Sequence, residues 1–406
     1  MAEEVWMLQT KKADFKQIGA RFRIDPVTAR IIRNRGIEGE AAIDRYLNGT
    51  LDDLYDPMLL KDMERAVSIL CEAVDTGKKI RIVGDYDIDG VCSTYILLQA
   101  FERLGSEVDF EIPDRIKDGY GINESIIEQA HADGVEVILT CDNGISAFYQ
   151  VELAKKYGMT VVITDHHEVP LDGDKEKIPP ADAVIDPKQA DCPYPFPEIC
   201  GAVVAYKLVQ VLYARRGVPQ MEWLDLLEFA AIATVGDVMK LQDENRILVK
   251  YGLKKMAQTK NLGLRRLAEK NNLDLGAITA YHIGFVIGPC LNAGGRLKTA
   301  KEALALLRAQ SEEEAERLAE ELKELNDTRK DMTEQGTEAA KLQVESWYQK
   351  DKVLVVFLPE CHESLAGIIA GRLREYYQKP AIVLTRGEEA VKGSGRSIDE
   401  YHMFKK

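Results

Sequence analysis

Between residues 78 and 186 the chain alternates two kinds of segment. KKIRIVG, VEVILT and MTVVIT are short, β-branched apolar runs, each followed by polar or glycine residues. Between them lie STYILLQAFERLG and NESIIEQAHADG, which read as helices. The order strand–helix–strand–helix–strand predicts a parallel sheet with covering helices, because parallel strands need crossovers that lie on the sheet faces. Ligands of such sheets sit beyond the carboxyl ends of the strands. Farther on, Leu318, Leu322, Leu325 and Met332 fall on one helical face with Glu, Lys and Arg between them. That spacing predicts a long amphipathic connector helix, with Gly336 as the expected place for a break or kink. DKVLVVFL, ESLAGIIAGRLREYYQ and PAIVLT then repeat the alternation on a smaller scale, which predicts a second α/β domain.

The length of 406 residues fits two to three domains. An apolar share of 46% with 30% charged residues excludes whole-chain disorder and fibrous rods. No run approaches the roughly 18 apolar residues of a membrane span, so no membrane association is expected. The start, MAEEVWMLQTKKADF, opens with acids and lacks the apolar run of a signal peptide, which predicts a cytoplasmic protein. Cys71, Cys92, Cys141, Cys192, Cys200, Cys290 and Cys361 form no CxxC pair and are odd in number, so buried reduced thiols are expected rather than a zinc cage or disulfide framework. The net charge of −14 argues, taken alone, against nucleic acid. The charge is uneven, however. Residues 301–350 hold 13 acids against 8 bases, whereas residues 1–50 hold 9 bases against 7 acids. A nucleic-acid track needs only a locally basic cleft, which Arg296, Lys392 and Arg396 could help line.

Each of the three central runs ends in potential metal ligands. After the first come Asp85, Asp87 and Asp89, at i, i+2 and i+4; after the second, Asp142-Asn143-Gly144; after the third, Asp165-His166-His167. One such cluster could be a solvated turn or a surface His pair. Three at equivalent strand ends, with neighbouring strands about 4.8 Å apart, converge on one small volume. Carboxylates brought together repel, and a divalent cation relieves the repulsion. Oxygen ligands with one or two imidazoles suit Mn²⁺ or Mg²⁺ better than zinc. A pair of such ions would serve phosphoester hydrolysis. Asp237, in LEFAAIATVGDVMKL, is a further candidate that reads equally well as an ordinary helix-end acid. GPCLNAGGRL (288–297) and KGSGRS (392–397) combine glycines with Asn, Lys, Arg and Ser, a composition suited to phosphate.

Taken in order, DYDIDG, CDNG, TDHH, ATVGD and the late GSGRS resemble the DHH phosphoesterase superfamily, with Asp165-His166-His167 as its namesake triplet. Within it the chain is most similar to the RecJ branch of single-strand-specific DNA exonucleases, a likeness that extends over nearly the whole chain. It includes the opening NRGI…AAIDRYLNGTLDDLYDPMLLKDMERAV, the GPCLNAGGRL motif and CHESLAGIIAGRLREYYQKPAIVL, which is similar to the start of a DHHA1 domain. The resemblance implies an N-terminal helical region (1–60), a parallel-sheet DHH catalytic domain (61–300), a connector helix (301–347) and a smaller α/β DHHA1 domain (348–406). It also implies two Mn²⁺ or Mg²⁺ ions and processive 5′-to-3′ hydrolysis of single-stranded DNA, in repair and recombination. Single-strand-binding protein or a helicase are the partners it suggests.

Carried over residue by residue, Asp87, Asp89, Asp142, His166 and Asp237 match metal ligands, with Asp85 and Asp165 beside them and His167 orienting a ligand or the scissile phosphate. Asp87, Asp142, His166 and His167 are the expected catalytic set. Asn292 and Arg296 would contact the DNA backbone, and His362, Lys392, Ser394, Gly395, Arg396 and Ser397 would bind phosphate from the DHHA1 side. Departures from the pattern are Cys290 in place of arginine, Ser364 in place of glycine and Lys240 in place of proline. Family members continue past GSGRS into an OB-type domain, so the DHHA1 domain is expected to be incomplete, with processive binding weakened. Two alternatives stand beside this reading: a small-substrate phosphodiesterase of the same superfamily, acting on nano-oligonucleotides or cyclic dinucleotides, and a non-catalytic DNA-binding relative.

Overall fold

A computed structural model describes residues 6–7, 11–116, 118–387 and 390–403. Strands β1 (Ile80–Val83), β2 (Val108–Glu111), β3 (Val137–Cys141) and β4 (Thr160–Thr164) form, with β7 (Ala183–Ile185), a parallel sheet in the order β2-β1-β3-β4-β7. β5 (Leu171–Asp172) and β6 (Lys175–Glu176) make a small antiparallel hairpin on the way to β7. The period of two along each strand explains why the runs are apolar throughout. Ile80, Ile82, Val137, Leu139 and Cys141 enter one core with the helices Met63–Asp75, Ile88–Arg103, Gly201–Arg215 and Leu227–Gly236. Val83, Ile138, Val161 and Ile163 enter a second core with the helices Glu124–Ala132 and Phe148–Lys156. A sheet buried on both faces has no polar side to display. The strand order reverses between β1 and β3, which opens a crevice at their carboxyl ends.

Three N-terminal helices, Phe15–Phe22, Pro26–Asn34 and Glu40–Asn48, enclose a small core of Ile32, Ile37, Ile43 and Tyr46. They are tied to the larger body by Arg45 on Asp243 at 2.8 Å. Nearby, a fully buried Lys207–Glu244 pair at 2.6 Å also binds the backbone carbonyl and amide of Tyr55.

The connector begins with a separate helix, Lys301–Arg308, followed by Glu312–Gln343, capped by Ser311. Its 32 residues span about 48 Å. Leu318 and Leu322 are buried as the spacing predicts, and Leu325 and Met332 pack partly buried. The helix runs unbroken through Gly336, so the expected break does not occur there. A Cβ at this position would lie 2.6 Å from Cδ1 of Ile369, so glycine serves close helix packing. Its acids are largely neutralised in place: Glu312, Glu316 and Glu320 pair with Arg265, Arg266 and Lys270 of the helix Leu262–Lys270.

The C-terminal lobe contains β8 (Leu354–Phe357), the helix Glu363–Tyr377, β9 (Ala381–Arg386) and β10 (Val391–Arg396), with β8 and β9 parallel and β10 antiparallel to β9. KGSGRS therefore belongs to an edge strand rather than an amide-lined turn. GPCLNAGGRL is likewise a helix, Gly288–Leu297. A Cβ on Gly295 would meet the carbonyl oxygen of Tyr86 at 2.3 Å, so this glycine seats the helix against the DYDIDG loop instead of admitting phosphate. All seven cysteines are free thiols. Among the described residues, no helix is long and apolar enough to cross a membrane.

Candidate metal centre and phosphate cleft

The strand ends converge as the sheet geometry requires. Asp87 caps the helix Ile88–Arg103, its Oδ1 accepting from the amides of Asp89 (2.9 Å) and Gly90 (3.2 Å). Two residues on, Asp89 faces another helix start: its two oxygens accept from the amides of Gly201 and Ala202, each at 2.7 Å. Asp142 closes β3 in the left-handed region, at φ 61°. Nε2 of His166 lies 3.0 Å from Oδ1 of Asp142, 3.4 Å from Oδ2 of Asp89 and 3.9 Å from Oδ2 of Asp237. Asp237 caps the C-terminal end of the helix Leu227–Gly236, and its carboxylate is also turned toward His166.

Three sets of potential ligand atoms come within 4.8 Å of one another: Asp85, Asp87 and Asp142; Asp89, His166 and Asp237; Asp142, His166 and His167. Asp165 is not in these sets. Its oxygens already accept from the amides of Ile145 (2.9 Å) and His166 (2.7 Å) and hold Nδ1 of His167 at 2.8 Å.

This packing is electrostatically costly without a cation. Burial, reinforced by neighbouring carboxylates, lifts Asp85 and Asp237 to about 7 and raises Asp87 and Asp142 as well. Burial also lowers His166, whose Nδ1 has no hydrogen-bond partner among the described residues. Burial disfavours a charged His167, but the Asp165 bond outweighs it and lifts His167 to about 9. Buried carboxylates that repel, together with a neutral imidazole, are the donor set that fits a hard divalent cation.

The DHH family, N-terminal domain, matches residues 79–234. A single-stranded-DNA-specific exonuclease RecJ of Bacillus subtilis is 36% identical over 402 residues, covering 98% of this chain and 50% of that protein. RecJ of Escherichia coli is 36% identical over 397 residues, covering 94% of this chain and 67% of its own length. The chain belongs to the RecJ family. The crystal structure of RecJ in complex with Mn²⁺ from Thermus thermophilus superposes with a TM-score of 0.79 at 30% identity, covering 95% of this chain and 53% of that one. A second structure, exonuclease RecJ bound to manganese, gives 0.74 at 32% identity, covering 85% of this chain and 84% of that one. The chain thus spans about half the length of the first of these relatives.

Near the acidic cluster lies a group of arginines, with Arg296 close enough to Asp87 to feel its charge. Arg296, from the helix Gly288–Leu297, donates Nη1 to the carbonyl of Ser364 at 2.9 Å. Burial and the neighbouring guanidinium groups of Arg115 and Arg329 depress it to about 10. Among the described residues, none of these three arginines has an ion-pair partner. Arg115, Glu363, Ser364, Lys392 and Ser394 line a cavity of about 210 Å³ between the lobes, and Lys392 pairs there with Glu363 at 2.9 Å. Alternation along β10 puts Lys392, Ser394 and Arg396 on one face. Gly395 lies on the other face, against Ile382 and Met403, and the hydroxyl of Ser397 accepts from the amide of Met403. His362 caps the helix Glu363–Tyr377, with Nδ1 2.7 Å from Oγ of Ser364. Cys290 points away from the cleft, buried between Asn271 and Asn326.

Sequence reasoning missed several participants. Gly201 and Ala202 hold Asp89, yet CGAVVAYKL reads only as a buried helix start. Tyr120 donates to the carbonyl of Asp142 (2.8 Å) and sits 3.0 Å from Nδ1 of His167. Arg115 lies in an ordinary-looking loop, and Arg329 on the solvated connector. Asp186 was discoverable. It follows β7 as Asp142 follows β3, is buried, and is lifted to about 7 by burial and Asp165.

Proposed function

We propose that this chain is the catalytic part of a divalent-metal-dependent exonuclease that hydrolyses single-stranded DNA from its 5′ end, acting in DNA repair and recombination. One observation carries the reading: a buried cluster of carboxylates and imidazole faces a cleft with three arginines that no carboxylate among the described residues neutralises. Asp85, Asp87, Asp89, Asp142, His166 and Asp237 would hold two Mn²⁺ or Mg²⁺ ions, in keeping with the manganese bound in RecJ structures. Such ions, when bound, supply Lewis acidity and generate a nucleophile from water near neutral pH.

The protein's own groups do the rest. Asp165 is a positioning residue: it fixes the His166 and His167 backbone and keeps His167 cationic, so that His167 offers a charge-assisted hydrogen bond to the scissile phosphate. Arg115, Arg296 and Arg329 neutralise the strand, with Asn292 beside Arg296 on the same helix. Lys392, Ser394 and Arg396 approach the phosphate from the second lobe, and His362 supports Ser364. We assign the partners to single-stranded DNA and, in the cell, a single-strand-binding protein or helicase, with the cytoplasm as the compartment.

Digestion of 5′- and 3′-end-labelled single strands in Mn²⁺ tests this. The expected result is release of labelled mononucleotide from the 5′ label at once and from the 3′ label only late. Asp142→Ala and His166→Ala should each abolish the activity while leaving the fold in place. Wild-type rates in either variant, or preference for dinucleotides over long strands, would overturn the assignment.

A further inference from the structure

A pair of exposed aromatic rings lies on the helical segment that leads to Arg296. Tyr281 and Phe285 are 64% and 68% exposed, yet their rings stack on each other at 4.8 Å with 28° between planes. Large apolar rings paired in solvent on a rigid helix mark an interaction site rather than a packing remnant. The helix is well anchored. Thr279 and His282 form a reciprocal cap at its start, Ile283 and Ile287 are buried, and Gly284 turns toward Val235, two residues before Asp237.

From Ala280 the backbone continues through a π-helical stretch, Ile283–Ile287, into the helix Gly288–Leu297. The positions left unburied include 281, 285, 289, 292 and 296, one stripe at helical spacing. Its inner end is Asn292 and Arg296, the latter bonded to Ser364 of the second lobe; its outer end is the ring pair. At no more than the 1.5 Å rise per residue of an α-helix, Phe285 lies within about 17 Å and Tyr281 within about 23 Å of Arg296 along the axis.

We propose that Tyr281 and Phe285 are a base-stacking platform for the single strand a few nucleotides behind its 5′ end. The proposal rests on the nuclease reading and deepens it. The occupant follows from continuity. The same stripe carries, in order, a phosphate-binding guanidinium, an amide without a described hydrogen-bond partner and two ring faces, which match the backbone, edges and faces of an unpaired strand. A duplex would hide its base faces from the rings, so the platform selects single strands. Stacking is blind to base identity, which suits an enzyme that must degrade any sequence.

The test is equilibrium binding of a 12-nucleotide single strand in EDTA, beside Mn²⁺-dependent rates on that strand and on a dinucleotide. Each ring lost should weaken binding of the long strand about tenfold. The double variant Tyr281→Ala/Phe285→Ala should lower kcat/KM on the long strand by at least that factor, with the dinucleotide rate unchanged because it cannot reach the rings. Phe285→Trp should bind as wild type, with its fluorescence quenched by the strand, whereas Phe285→Leu should behave like alanine. Abasic sites placed at the third to fifth nucleotides should weaken wild-type binding but not further weaken the double variant. Unchanged binding in the double variant would overturn the proposal. So would full function in Phe285→Leu, which would point to a generic apolar contact. Binding in EDTA does not depend on turnover, so a wild-type chain that hydrolyses neither substrate would refute the nuclease reading while the platform is still decided by the quenching arm.

Discussion

The close approach of the helix Gly201–Arg215 to β3 makes Gly201→Ala a sharp test of how the centre is held. A Cβ at this position would lie 2.8 Å from Cβ, 2.9 Å from Cα and 3.0 Å from Oδ1 of Asp142. Carbon pairs rest at roughly 3.5 Å or more, so one side must retreat by about 0.7 Å. Neither side yields freely. Asp142 is fixed by its amide on Thr164 (3.1 Å), its carbonyl on Tyr120 (2.8 Å) and its carboxylate on His166 (3.0 Å). The helix is fixed by the two 2.7 Å bonds from Gly201 and Ala202 to Asp89. Retreat of the helix would stretch those bonds beyond roughly 3.2 Å, the outer limit of a good N–H···O bond, and retreat of Asp142 would break the ligand geometry. Overpacking of this size costs about 1–3 kcal/mol, and a displacement approaching 1 Å in a catalytic group costs about a hundredfold in rate. The variant should therefore lose about 10²-fold in kcat/KM for Mn²⁺-dependent strand degradation, and about 1–3 kcal/mol in urea unfolding. Gly371→Ala is the control. Nothing lies within 4 Å of its new Cβ in the helix Glu363–Tyr377, so it should gain up to about 1 kcal/mol with activity unchanged. Wild-type turnover and stability in Gly201→Ala would refute the claim that this contact positions Asp142 and Asp89.

Three further outcomes follow from the same structure. Arg329→Ala should raise KM for long single strands and flatten the salt dependence of binding while leaving kcat nearly intact, because the role proposed for Arg329 is to neutralise the strand near Arg296; an unchanged salt slope would refute that role. Glu228 is buried and lifted from 4.5 to about 7 by burial, with one oxygen unpartnered among the described residues. A raised carboxyl pKa means that the stability this group contributes is greatest below the unfolded value of 4.5 and declines as pH climbs to about 7. Glu228→Gln should therefore stabilise the protein by about 1–3 kcal/mol at about pH 8 and much less at about pH 5 in urea titrations, and an equal effect at both values would contradict the assignment. Glu244→Ala strands the ammonium of Lys207 inside the protein and should cost about 3–5 kcal/mol, read by thermal unfolding; the double replacement Lys207→Met/Glu244→Met should recover most of that loss.

Much of the centre is legible in the sequence. Asp85, Asp87, Asp142 and His166 follow apolar β-runs directly, and a parallel sheet aligns the ends of its strands, so local pattern and one topological rule suffice to bring them together. The connector's core face at Leu318 and Leu322 was likewise written in its spacing. Positions whose role depends on distant partners carried no such mark. Gly336 reads as a helix breaker in isolation, but the Ile369 side chain packed against it makes it a spacer. KGSGRS reads as a phosphate-suited composition with no element assigned, and only pairing with β9 shows it to be a strand.

The order of residues alone dictates the chemistry available and the strand ends that present it: acids and histidines in one crevice, fit for divalent cations, within the RecJ family. How those groups are held, and what faces them, is settled by the folded chain. The amides that grip Asp89 come from residues 201 and 202, and the guanidinium groups nearby come from Arg115, Arg296 and Arg329, on three separate segments. The difference is one of range. Hydrophobic period and strand-end position act over a few residues, whereas desolvation, charge convergence and close packing arise only when segments tens to hundreds of residues apart share one space.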